Sequence, residues 1–363
     1  MKTFIFSMAF IFFAGLSTLK SQDIKSIDAI MQQYEGEVPG ASLMIIRDGK
    51  KILTRSYGYS NLEKREQVTA QHNFRLASVT KQFTAGAILQ LVHRGKLSLR
   101  QNLTEIFQGF PDYGKGITIQ HLLTHTSGIA DYEDYVSDTA MNPQILDKGV
   151  LEIMMKLDTV YFTPGEKYRY SNTAYALLAL MVEKYSGLSF DAYLQRNIFR
   201  PLGMRNTLAY LKGINEVPHR AYGYTQKENQ WSLKDQSSTS AVLGDGGIYS
   251  SVEDLYKWDQ SLYTDKILPA AVKQEAFSYH RLNNGDTVHY GFGWHLKKSP
   301  RGEQVVYHTG STSSFRNIIY RIPARKTSII ILTNRNFPLE EDMVGLAERI
   351  LLAIDVFKLP VGG

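Results

Sequence analysis

In Ser78-Val79-Thr80-Lys81 a hydroxyl and an amine stand one helical turn apart. Residues i and i+3 share a helix face, so the Lys81 amine falls within reach of the Ser78 hydroxyl. Serine becomes a usable nucleophile only when a neighbouring base takes its proton, and lysine is one such partner. Phe74 to Ser78 reads as a strand or loop entering a helix. Gln82 to His93 continues that helix with Phe83, Ala87, Leu89, Leu91 and Val92, and Gly95 closes it. Ser78 then sits at a helix N-terminus, where free backbone N–H groups favour developing negative charge. By themselves the four residues are also what a capping serine and a solvated lysine would give, so their meaning rests on the rest of the chain.

Toward the N-terminus, Met1-Lys2 is positive, Phe4 to Leu16 is almost wholly apolar, and Leu19-Lys20-Ser21-Gln22 suits cleavage. Residues 1–22 therefore read as a secretory signal peptide. Its apolar run of about 13 residues falls short of the roughly 20 that span a bilayer. The expectation is an exported protein, periplasmic or secreted, with no stable membrane anchor after cleavage. The mature chain, starting near Asp23, has about 340 residues, enough for one large domain or two lobes. Its composition, 43% hydrophobic and 21% charged, is ordinary for a globular protein. With no cysteine, packing alone must hold the fold, and thiol catalysis, cysteine metal sites and an acylated anchor are excluded. Loss of Lys2 and Lys20 leaves 39 basic against 35 acidic residues. No basic run stands out, so nucleic acid is not an expected partner. The 22 tyrosines suit clefts that need flat apolar contact plus a hydroxyl.

Ile24 to Tyr34 has helical spacing. Ala41 to Arg47, Asp48-Gly49 and Lys51 to Tyr57 read as a hairpin on a favoured two-residue turn. From Leu97 to Pro218 the chain is mainly helical, with helices at 117–123, 145–157, 172–185 and 189–199; Asn172 is placed as N-cap and Gly187 as terminator of the third. Ser251 caps a helix to Tyr263. Tyr290 to Leu296, Val305 to Thr309, Phe315 to Arg321 and Ser328 to Thr333 read as strands, and Leu339 to Ile354 as a closing helix. Strands at both ends with helices between them predict an α+β fold. One antiparallel sheet flanked by helices forms an α/β sandwich lobe (23–97 and 236–363), and a helical lobe (98–235) is inserted into it. His121 and His125 have the i, i+4 spacing of zinc ligands, but no glutamate follows His121 and no third ligand is evident, so both read as structural and no metal is expected. Gly244-Asp245-Gly246-Gly247 lacks the ending of a phosphate loop and reads as a tight turn.

Two further stretches give Ser78 its context. Tyr170-Ser171-Asn172 follows the turn at Pro164-Gly165 and opens a helix. His308-Thr309-Gly310 ends a strand, where the glycine admits close approach of another backbone or a substrate. With S-x-x-K, Y-x-N and H-T-G in this order, the chain resembles the serine β-lactamase and penicillin-binding-protein superfamily, in its class C β-lactamase-like branch. Val38-Pro39-Gly40-Ala41, His121 to Gly128 and Gly244 to Gly247 are similar to it too, and the likeness runs from about Ile27 to Asn334.

The resemblance implies a β-lactamase/transpeptidase-like fold and a serine hydrolase that needs no cofactor. In it Ser78 attacks a carbonyl and becomes acylated, with Lys81 and Tyr170 as acid–base partners. Asn172 bonds Lys81 and a substrate amide oxygen, His308, Thr309 and Gly310 line the substrate site, and the backbone N–H groups of Ser78 and Ser311 form the oxyanion hole. An ordinary lysine, with a pKa near 10.4, is neutral in only about one molecule in 2,500 at pH 7. Either Lys81 is depressed by burial, or it stays cationic and makes Tyr170 the base. His308 departs from the lysine of most β-lactamases in this class, and an ordinary histidine would bind a substrate carboxylate less well above about pH 7. Glu166 reads as a surface residue, and no Ser-Asp-Asn motif supports a separate glutamate base. Substrates are expected among small amides, D-residue peptides or esters. A true class C-type β-lactamase, and a non-catalytic penicillin-binding or sensor module, are the alternatives.

Overall fold

The computed structural model describes residues 19–137 and 143–354; residues 1–18 of the expected signal segment lie outside them. Helix α1 (Ser21–Met31) leads into the hairpin of β1 (Ala41–Arg47) and β2 (Lys50–Tyr57). Asp48 and Gly49 at its turn both have positive φ, as the favoured two-residue turn requires. Helices α2 (Lys81–His93) and α3 (Asn172–Ser186), the short α4 (Leu243–Gly246) and α5 (Val252–Ser261) follow. Strands β3 (His295–Lys298), β4 (Gln304–Ser311), β5 (Arg316–Ile322) and β6 (Thr327–Thr333) then form a meander, and α6 (Asp342–Ala353) closes the chain.

The two ends of the sequence make one antiparallel six-stranded sheet, in the order β3-β4-β5-β6-β1-β2. The junction is the β1–β6 pair, in register from Ala41 opposite Thr333 to Ile46 opposite Ser328. Leu43, Ile45, Ile318, Tyr320, Ile329 and Ile331 point to one face, which α1 and α6 cover with Ile27, Met31, Leu346 and Ile350. Met44, Ile46, Ile319, Ile330 and Leu332 point to the other, into the larger core shared with the helical region. Because both faces are covered, β6 is buried at every position. It reads as an unbroken Ile-Ile-Ile-Leu run rather than an alternation. This arrangement is the α+β, β-lactamase/transpeptidase-like fold, an antiparallel sheet flanked by helices. No helix among the described residues is long and apolar enough to cross a membrane.

The segment expected as a strand over Tyr290 to Leu296 differs. Tyr290 makes only an isolated bridge to His295, and regular pairing starts at His295. Gly293, with φ +80°, turns the chain so closely against α2 that a Cβ there would lie 2.7 Å from the Lys81 carbonyl oxygen. A bend that seats the loop on the lysine helix takes the place of regular ladder over the five residues from Tyr290 to Trp294.

Candidate active site

Ser78 lies in a short 3-10 turn, Ala77–Thr80, and Lys81 is the first residue of α2. Ala77 has φ +52°, a left-handed conformation that costs free energy in a residue with a Cβ and must be held by its surroundings. Three contacts hold it. The Leu76 N–H donates to the Ile248 carbonyl at 2.8 Å. The Asn317 side chain donates to the Arg75 carbonyl at 2.8 Å. Gly310 presses β4 so near that a Cβ would meet the Leu76 carbonyl at 2.1 Å. The glycine of the third motif thus admits the backbone that carries the serine.

Lys81 is fully buried, and its Nζ donates to Ser78 Oγ at 3.1 Å, Asn172 Oδ1 at 2.8 Å and the Asp245 carbonyl at 3.0 Å. Burial pushes its pKa down to about 8, against the opposing pull of Asp245, Asp131, Glu133 and Glu340. Asn172 is free to take this role because it does not cap α3: the Ser171 hydroxyl accepts from the Ala174 N–H at 3.2 Å, and Asn172 is the first helical residue. The Asn172 N–H is held in turn by Asp131 Oδ2 at 2.8 Å.

The Tyr170 hydroxyl is buried and has no hydrogen-bond partner of good geometry, and its ring stands 4.8 Å from Lys81 Nζ. Burial raises its pKa well above 10, the nearby Ser78 hydroxyl being the first influence in the other direction. His125 packs beneath it with ring centroids 4.2 Å apart, and its Nδ1 accepts from the Ser171 N–H at 3.1 Å. The expected helical pair of histidines is not formed, because α-helix ends at Leu123 and His125 has φ +58°. Burial holds His125 well below 6.5, so the ring is neutral and its lone pair is available to Ser171. Among the described residues no group of three or more His, Cys, Asp or Glu side chains could hold a metal ion.

His308 is buried. Its Nδ1 faces the Thr309 carbonyl at 2.5 Å and its Nε2 faces the Tyr290 hydroxyl at 2.8 Å. A carbonyl only accepts, so Nδ1 carries the proton and Nε2 accepts from Tyr290. Burial, then the proximity of His295 and Lys81, holds its pKa well below 6.5. The neutral ring is thus favoured more strongly than in an ordinary histidine, which weighs against His308 serving as a cation for a substrate carboxylate. The Thr309 hydroxyl donates to Glu340 Oε1 at 2.6 Å. Ser78, Glu133, Asn172 and Ser311 border two adjoining cavities, of about 480 Å³ and 710 Å³. Glu166 is exposed beside Lys167, as a surface residue should be.

Four residues that the motifs did not single out complete the arrangement. The buried Asp147 carboxylate accepts from the Leu243 and Gly244 N–H groups at 2.8 and 3.0 Å, so it fixes α4, whose Asp245 carbonyl receives Lys81. The Asp245 side chain accepts from the Tyr132 hydroxyl at 2.9 Å, and burial raises its pKa. Glu133 is exposed at the rim of the cavities, and partial desolvation, then Asp245 and Asp131, push its pKa up to about 7. Only Asp245 carried a signal, as part of the Gly244–Gly247 stretch, where the tight turn expected near the active-site wall is one helical turn lining the smaller cavity.

The family model described as Beta-lactamase matches residues 26–353. Penicillin-binding protein 4* of Bacillus subtilis is 33% identical over 338 residues, covering 88% of this chain and 72% of the relative. Protein flp of Staphylococcus aureus strain MRSA252 is 29% identical over 330 residues, and the chain spans 64% of its length. The structure of the octameric penicillin-binding protein homologue from Pyrococcus abyssi superposes with a TM-score of 0.78 at 28% identity, covering 93% of this chain and 77% of that one. A match over nearly the whole chain, joined to an S-x-x-K, Y-x-N and H-T-G site assembled around one buried lysine, places this protein in the beta-lactamase family, with the penicillin-binding proteins among its relatives.

Proposed function

We propose that the protein is an exported serine hydrolase that forms an acyl-enzyme on Ser78, with Lys81 as the base and Tyr170 as the leaving-group acid. Its substrates are small amides, D-residue peptides or esters. The observation that carries this reading is the set of three partners around Lys81 Nζ. Asn172 Oδ1 and the Asp245 carbonyl only accept, so they take two N–H bonds of a neutral amine and leave its lone pair facing the Ser78 hydroxyl. At a pKa of about 8, roughly one Lys81 in ten is neutral at pH 7, against about one in 2,500 for an ordinary lysine. Tyr170, raised by burial, holds its proton and is a poor base.

In the proposed cycle Ser78 Oγ attacks the carbonyl carbon as its proton passes to Lys81. The backbone N–H groups of Ser78 and Ser311 receive the oxyanion, each donor contributing about 3–4 kcal/mol. Tyr170 protonates the leaving group and recovers a proton from Lys81. Water then reverses the sequence on the acyl-enzyme. β-Lactam hydrolysis is the second reading, supported by the penicillin-binding relatives. Against it stands His308, which supplies no cation for the β-lactam carboxylate.

Two measurements test the assignment. Intact mass after mixing with a slowly deacylating p-nitrophenyl ester should show one added acyl group, located by digestion to the peptide containing Ser78; an acyl group elsewhere would overturn it. Acylation by a neutral ester should rise about tenfold per pH unit from pH 6 toward 8 and level off above about 9, as Lys81 loses its proton. A rate already flat from pH 6 would remove Lys81 as the base.

A further inference from the structure

We propose that Glu340 is a specificity-determining residue: its carboxylate already occupies the Thr309 hydroxyl, bars leaving groups that carry a carboxylate and selects uncharged ones. The proposal rests on Ser78 being the nucleophile and Tyr170 the leaving-group acid, and it narrows the substrate class of that site.

The leaving group belongs in the larger cavity, because Tyr170 borders that cavity and not the smaller one. The Tyr170 hydroxyl is buried there without a partner of good geometry, and a leaving-group nitrogen or oxygen would satisfy it. Thr309 borders the same cavity, and its hydroxyl has one proton to give. That proton goes to Glu340 Oε1 at 2.6 Å. A carboxylate arriving beside Thr309 finds the donor already engaged and a like charge facing it.

The fold holds Glu340 in this position. It stands two residues before α6, and its carbonyl accepts from the Met343 N–H at 3.1 Å. Met343, Leu346 and Ile350 are buried against the sheet to which Thr309 belongs. The charge of Glu340 also acts on Lys81 and on Tyr170, so it is felt at the reacting groups.

No cation within the cavity offsets it. Among the described residues bordering the larger cavity, Glu133, Glu340 and Glu341 are acidic and none is Lys or Arg. Burial disfavours the charged forms of His295 and His308, with His295 down to about 4. Arg316 interacts with Glu340 and Glu341, but its Nη1 donates to the Thr312 and Phe315 carbonyls and it borders neither cavity. Arg75 borders only the smaller one, where the Gly246 and Ser240 carbonyls engage it at 3.2 and 3.1 Å. Lys81 is used inward, on Ser78, Asn172 and Asp245. The Tyr168 and Tyr307 rings supply the rest of the wall with flat, neutral surface that suits an uncharged group.

The test uses two esters with one acyl half and leaving groups of near-equal size, meta-carboxyphenyl acetate and meta-carbamoylphenyl acetate. Both form the same acyl-enzyme, so kcat/KM compares only the acylation step that expels the phenol. Each value is divided by the ester's own hydroxide-catalysed rate. The wild type should favour the carbamoyl ester by about tenfold or more. In Glu340→Gln the ratio should fall to within about threefold of one, because the amide still accepts from Thr309 but carries no charge. A wild type that takes the carboxy ester as well as the carbamoyl one overturns the proposal, and this comparison needs no variant to fold. A ratio unchanged in Glu340→Gln, in protein that melts as the wild type does, overturns the role of that residue. If p-nitrophenyl acetate labels Ser78 while the two esters react equally, the exclusion fails and the nucleophile assignment stands. If Ser78 is never labelled, both fall.

Discussion

Ser78→Ala is expected to lower hydrolysis of every substrate by ~10³–10⁶-fold and to abolish covalent acylation. Of the three groups that Lys81 Nζ meets, the hydroxyl is the one nucleophile, the others being the Asn172 amide oxygen and the Asp245 carbonyl. Removing it leaves oxyanion donors and binding contacts but no group to attack. The fold should survive, because the backbone contacts that hold the turn run through Leu76, Arg75 and Gly310 rather than the hydroxyl. Ester and anilide hydrolysis, intact mass and a thermal melt measured together check this. Undiminished turnover in a well-folded Ser78→Ala protein would refute acyl-enzyme chemistry on this residue, as the sensor reading also requires some other account of any activity.

Asp259→Ala should be the most damaging single change to stability away from the site, at about 3–5 kcal/mol. Asp259 on α5 and Arg321 on β5 are both essentially inaccessible, with Nε and Oδ1 2.6 Å apart. The same oxygen accepts from the Ser328 hydroxyl at 2.7 Å, so one carboxylate ties the helix to two neighbouring strands. Opposed charges in such a place gain little net stability over an apolar pair, because each loses its water. Deleting one leaves the other buried and unmatched, which is far worse. Arg321 is already short of one partner, since its Nη1 has none. Denaturant unfolding should therefore show a large loss for Asp259→Ala, and a much smaller one for Asp259→Leu combined with Arg321→Met. Equal losses in the single and double variants would mean that packing, and not the stranded guanidinium, sets the cost.

Much of the scaffold was legible in local pattern. Asp48-Gly49 between two apolar runs specified the hairpin, Ser251 and Gly187 bounded their helices, and the i, i+3 spacing of Ser78 and Lys81 put amine and hydroxyl together. Errors arose where two elements meet. Asn172 fits an N-cap by residue type, yet Ser171 caps α3 and Asn172 turns to a lysine 91 positions away. His121 and His125 had the right spacing for one helix face, but the helix stops between them so that His125 can lie under Tyr170.

The sequence by itself determined most element types, the joining of both termini in one sheet, and which residues to look for at the candidate site, because periodicity, turns and caps act over a few neighbours. Only the tertiary structure decided how those residues are charged. The depression of Lys81, the retained proton of Tyr170 and the neutrality of His308 all follow from burial by segments far away in the chain. Asp147 bears on Lys81 only through α4, and Glu133 borders the nucleophile only once Tyr132 has docked on Asp245. Desolvation depends on what surrounds a group in space, and spacing along the chain carries no measure of it.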